Sequence, residues 1–118
     1  MSNGLTVIAH EDQTTPMAAV NLLYRAGSKH DPVDRTGLAH LLEHMMFTGS
    51  KHAKDFDSPL QLASGENNAF TNKDITNYYD ILPVGNLTTA LWLESDRMRD
   101  LLFDKASFKT QKKVVIEE

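Results

Sequence analysis

Two imidazoles and a carboxylate interrupt an otherwise apolar run in TGLAHLLEHMMFTG, residues 36–49: His40, Glu43 and His44. At about 100° per residue, a helix through this run sets His44 about 40° around the axis from His40 and Glu43 about 60° to the other side. All three therefore share one face. Leu38, Leu41, Leu42, Met45 and Met46 fill the opposite arc. A solvated polar face on an amphipathic helix is the plainer reading, but it leaves both histidines beside Phe47 on a helix whose remaining surface is apolar.

Imidazoles at i and i+4 can converge on one metal ion while a neighbouring carboxylate reaches the water bound there, and His-x-x-Glu-His is the inverted form of the zinc-peptidase motif. A hydrolytic zinc site takes three protein ligands and keeps one position open, so a third ligand must come from elsewhere. With no cysteine in the chain, that ligand is nitrogen or oxygen. His10, His30 and His52 fall in or beside expected turns, where a surface histidine is the ordinary explanation. The terminal helix offers Glu118: with Val114 at 0°, Glu118 lies near 40°, Gln111 near 60°, Val115 near 100° and Phe108 near 120°. Glu117 falls near -60°, toward Lys113. Glu118 is thus either a carboxylate aimed at a cation or the solvated last residue of the helix.

The elements that must position these groups follow from pattern. LTVIAH and MAAVNLLYRAG read as strands, the second with Ala18, Val20, Leu22 and Tyr24 on one side. Asp34 or Thr36 is the expected cap of the His40 helix and Gly49 its stop. SPLQLAS reads as a short helix with Ser58 as cap and Pro59 at its first position. NAFTN and ITNYYDILP form a strand pair. From Asn86 to Leu102, Leu87, Leu91, Met98, Leu101 and Leu102 follow helical spacing, and a last helix runs from Ser107. The order predicts an α+β fold, an antiparallel or mixed sheet covered by helices, in one domain over residues 1–118. KKVVIEE ends in mid-helix, so the expectation is the N-terminal part of a domain that continues.

A net charge of -4 and scattered lysines argue against nucleic acid as a partner. No run of about 18 apolar residues predicts a membrane span. The start lacks a signal-peptide pattern, which reads as cytoplasmic as written, or as periplasmic or secreted if such a peptide was trimmed.

AHLLEHMMFTGS, ENNAFTN, ITNYYDIL and KKVVIEE, in this order and at this spacing, resemble the pitrilysin-type zinc metallopeptidases, which include insulysin-like enzymes and mitochondrial processing peptidase. The resemblance implies the corresponding fold and one zinc ion held by His40, His44 and Glu118. It implies Glu43 as general base, Asn68 and Ala69 on an edge strand that pairs with a peptide or unfolded polypeptide substrate, and Phe47 and Phe70 near the residue preceding the cut. Tyr78 and Tyr79 read as core. The chain departs from the family at Gln111, where an acidic residue is common. The resemblance also implies a homologous second half or subunit, expected outside these residues, which supplies an Arg and a Tyr to the scissile carbonyl. The implied activity is a zinc metalloendopeptidase, weak or absent in this stretch alone. The alternative is a non-catalytic peptide-binding or assembly subunit, against which the intact zinc motif speaks. A lyase with the same motif and a cysteine ligand is excluded by composition.

Overall fold

A computed structural model describes residues 1–118. Three strands form one antiparallel sheet: β1 (Met17–Tyr24), β2 (Glu66–Thr71) and β3 (Thr76–Pro83), in the order β1-β3-β2. Four helices accompany them: α1 (Leu38–Met45), α2 (Asp57–Leu62), α3 (Leu87–Asp100) and α4 (Lys105–Glu117). Period-two alternation puts Ala18, Val20, Leu22 and Tyr24 of β1 opposite Leu82, Asp80, Tyr78 and Thr76 of β3. Val20, Leu82 and Tyr78 are buried, and the apolar core runs on through Phe56, just before α2, and Leu60, Ala90 and Leu93 of the covering helices. The sheet is wholly antiparallel, which resolves the choice left open by the sequence.

Four local expectations give way. Residues 5–10 form no strand, although the outer edge of β1 is open: Leu5, Val7 and Ile8 are exposed, so this segment has no layer to bury its apolar side chains against. The cap of α1 is Gly37, in the left-handed region at φ 91°, rather than Asp34 or Thr36. Its orphan donors are met from a distance: Asp31 accepts from the N–H of Gly37 at 2.8 Å and of Ala39 at 3.0 Å. In α2, Asp55 accepts from the Ser58 N–H at 2.6 Å, so Ser58 lies inside the helix instead of capping it. The stretch after α1 turns through Met46 to Thr48, and Gly49 serves a close approach: a Cβ there would sit 2.3 Å from the Lys54 carbonyl oxygen.

α3 turns a different face inward from the one its apolar spacing suggested. Leu91 and Met98 face solvent, while Glu94, Asp96 and Arg97 are buried beside Ala90 and Leu93. The inward face is chosen by charge complementarity. Arg97 Nε donates to Glu94 Oε2 at 2.8 Å, Nη2 donates to Oε1, and the guanidinium carbon lies 3.9, 4.5 and 5.3 Å from the ring centroids of Phe56, Tyr78 and Phe47. Three desolvated aromatic faces, each contributing up to ~2 kcal/mol, help offset the several kcal/mol of burying the ions. Asp96 is spent on the loop after α1: it accepts from Ser50 Oγ, the His52 N–H at 3.1 Å and His52 Nδ1 at 2.6 Å, and these bonds hold its carboxyl down at about 2.

Asp80, at the centre of β3, is fully buried and neither oxygen has a hydrogen-bond partner. Burial, then the negative charge of Glu94, pushes its carboxyl up to about 8, with Arg97 pulling the other way. The folded state thus holds a proton that the unfolded chain releases at about pH 4. This contribution to stability is fully present below that pH and is lost as pH rises to about 8. Urea denaturation of the wild type is expected to lose on the order of a few kcal/mol between pH 5 and pH 9, and Asp80→Asn to flatten that slope. Equal slopes in the two proteins would refute the assignment.

Candidate metal centre

α1 carries His40, Glu43 and His44, and α4 brings a second set of donors alongside. Asp104 caps α4, its Oδ1 accepting from the N–H of Ala106 at 2.8 Å and Ser107 at 2.9 Å. α4 packs against α1, and its half-buried residues are Ser107, Phe108, Gln111, Val114 and Val115; the last four lie on the arc that the helical period gave. Val115 Cγ1 would stand 4.0 Å from a Cβ at Gly37, so the start of α1 and the last turn of α4 lie close. Glu118 follows directly.

His40 Nε2 lies 3.2 Å from His44 Nε2 and 3.2 Å from Glu118 Oε2; His44 Nε2 lies 3.4 Å from the same oxygen. Donors about 2.0–2.1 Å from a tetrahedral zinc ion are spaced about 3.3 Å from one another. The three distances match one face of that tetrahedron, and the nitrogen and carboxylate donor set suits the ion. Gln111 Oε1 stands 3.2 Å from His44 Nδ1. Because the amide oxygen accepts, Nδ1 carries the proton, leaving the Nε2 lone pair for the shared point between the helices. The neutral amide thus does the orienting work for which an acidic residue was expected.

These groups open into a cleft of about 300 Å³ lined by His40, Glu43, His44, Phe47, Asn68, Ala69 and Glu118. Glu43 is only 9% exposed, whereas Glu118 has a side chain 51% exposed. Thr71, at the end of β2, donates its hydroxyl to Glu43 Oε2, and Oε1 takes no hydrogen bond. Thr71 was not picked out in the sequence; its relevance arises from β2 crossing beside α1, which no local pattern announces. Phe47 lines the cleft on one side and meets Arg97 on the other. Phe70 is not brought into the cleft: it lies on the face of β2 opposite Ala69 and Thr71, past the cleft-lining Asn68, and is 46% exposed. β2 is an edge strand, and its Ala69 N–H is met by the Asn68 side chain at 2.8 Å in place of a neighbouring strand.

The family model described as "Insulinase (Peptidase family M16)" matches residues 6–118. The chain is 33% identical over 121 residues to the zinc protease PqqE of Helicobacter pylori, covering all of this chain and 27% of that protein. Among solved structures, a protease from Helicobacter pylori matches with TM-score 0.82 at 33% identity, over 87% of this chain and 25% of that one. Pitrilysin matches with TM-score 0.80 at 28% identity, over 87% and 11% respectively. The chain spans about a quarter to three tenths of the length of the first curated relatives it matches.

Zinc affinity tests the geometry directly. His44→Ala is expected to abolish stoichiometric zinc measured by plasma emission, and Gln111→Ala to weaken binding about 10–100-fold in a competition titration. Undiminished affinity in either variant counts against its assignment.

Proposed function

The chain belongs to the insulinase family of peptidases, and on that premise we propose that it carries the metal-binding half of a zinc metalloendopeptidase site, acting on peptides or unfolded polypeptides with Glu43 as general base. The observation that supports this most strongly is the convergence of His40 Nε2, His44 Nε2 and Glu118 Oε2 within 3.4 Å of one another, with Glu43 in the same cleft. In this reading the three atoms hold a single zinc ion. When bound, the ion supplies Lewis acidity, making water more acidic and a peptide carbonyl more electrophilic.

The chain's own residues do the rest. With Oε2 held by Thr71, Glu43 has Oε1 available to take a proton from water and later return it to the departing amine nitrogen. His44 keeps its Nδ1 proton on Gln111. The free edge of β2 at Asn68 and Ala69 accepts an extended peptide by main-chain hydrogen bonding, which gives affinity with broad sequence tolerance. Side chains of an added strand alternate between faces, so Phe47 meets one set and Phe70, on the other face of β2, meets the next.

No Arg, Lys or Tyr lines the cleft, so none of this chain's cationic or phenolic groups is placed against a carbonyl oxygen there. We assign those donors to a homologous second half or subunit. Loss of one such donor costs about 10²–10³ in rate, which would leave this stretch weakly active or inactive alone. The intact ligand set disfavours a purely binding or assembly role.

Glu43→Gln is expected to retain stoichiometric zinc and to lose cleavage of a quenched peptide by at least about 10²-fold, measured with the completing half present. Turnover equal to wild type would remove Glu43 from the role of base.

A further inference from the structure

We propose that Thr71 is a positioning residue that holds the Glu43 carboxylate in its working rotamer. This rests on the reading of Glu43 as the base. The Thr71 hydroxyl donates to Glu43 Oε2 and also lies 3.3 Å from Thr76 Oγ1. A threonine hydroxyl has one proton to give. Thr76, buried at 6% exposure, spends its own on the Ala26 carbonyl at 2.9 Å. Thr76 therefore offers Thr71 only a lone pair, and the Thr71 proton goes to the carboxylate, the stronger, charge-assisted acceptor. The direction of the whole chain of bonds is fixed by the Ala26 carbonyl.

Thr71 is itself held from three sides. It pairs with Thr76 at the last rung of the β2–β3 hairpin. The hairpin turn is closed by Asn72, whose Oδ1 accepts from the N–H of Asp74 at 2.8 Å and of Ile75 at 2.9 Å. The turn is then clamped to the segment after β1: the Ser28 N–H donates to the Asn72 carbonyl at 2.9 Å, and the Lys29 N–H donates to the Lys73 carbonyl at 3.0 Å. Gly27 permits this contact, since a Cβ there would lie 2.3 Å from the Asn72 carbonyl oxygen. The β-branched side chain adds a stiff χ1. A glutamate with three free torsions is thereby tied at one oxygen to a rigid hairpin, and its other oxygen is left for chemistry. Such placement lets a base act without first searching its rotamers.

The test reads Glu43 with and without turnover. In the metal-free chain carrying 13C-labelled glutamate, NMR is expected to show a single Glu43 side-chain rotamer and a slowly exchanging Thr71 hydroxyl proton correlated with its carboxyl carbon. Thr71→Val should lose the correlation and average the rotamer couplings, while Thr71→Ser should restore both. In the zinc-loaded protein completed by its second half, Thr71→Val should lower kcat about ten-fold at unchanged KM and zinc stoichiometry. Thr71→Ser should recover to within about three-fold. A hydroxyl that served only its own burial would leave the Glu43 rotamer and kcat alone in Thr71→Val, and either result overturns the proposal. Absence of the hydroxyl correlation in the wild type overturns it without any variant, whether or not Thr71→Val folds. Glu43→Gln run in parallel separates the two claims: if it turns over like wild type the base reading fails, and the NMR result still decides whether Thr71 positions the side chain.

Discussion

The site depends on one contact, the approach of α4 to α1. Two Nε2 lone pairs and a carboxylate oxygen converge within 3.4 Å, an arrangement that repels itself unless a cation or a proton lies between. Little else holds α4 in place. It has no buried residue, and it meets α1 through Gln111 against His44, Val115 near Gly37, and Glu118. A cation shared between the helices, as proposed for this site, would add its binding energy to the folded arrangement alone and so favour docking of α4.

α1 is fixed more firmly, and from below. Met45 is fully buried and Leu41 and Met46 nearly so. Just beyond the helix, Phe47 packs edge to face on Phe56 at 5.8 Å and on the Arg97 guanidinium. That cation sits among three rings and one bidentate carboxylate, with the uncharged form of Asp80 favoured nearby. Removing one partner of such a buried pair costs about 3–5 kcal/mol, so the polar floor ties sheet, α3 and the end of α1 into a unit. The two helices thus differ in kind: α1 is set by the core, whereas α4 rests on the few contacts it makes with α1.

Several sequence readings failed for a common reason. The α3 face was assigned to Leu91 and Met98 because apolar residues ordinarily turn inward, yet Glu94 and Arg97 are buried because each supplies the other's counter-charge and three rings await the guanidinium. Asp31 satisfies the first turn of α1 from six residues before Gly37, beyond the reach of about two or three residues that N-capping rules cover. LTVIAH has strand composition, but its apolar side chains meet no covering layer and it joins no edge. In each case the deciding partner is remote in sequence.

What the sequence determined by itself is the chemistry on each element. The 3.6-residue period put His40, Glu43 and His44 on one face and Glu118 on the same arc as Gln111 and Val114, while the two-residue period gave β1 its inward set. The family resemblance extended this to the pairing of Glu118 with the histidines and to Asn68 and Ala69. Only the tertiary structure decided that Gln111 would orient His44, that Thr71 would reach Glu43, and that Phe70 would stay outside the cleft that Asn68 and Ala69 line. Local periodicity fixes which way a side chain leaves its own element, whereas its partner depends on how elements far apart in sequence pack, and that is set by the buried Arg97 network and the sheet register.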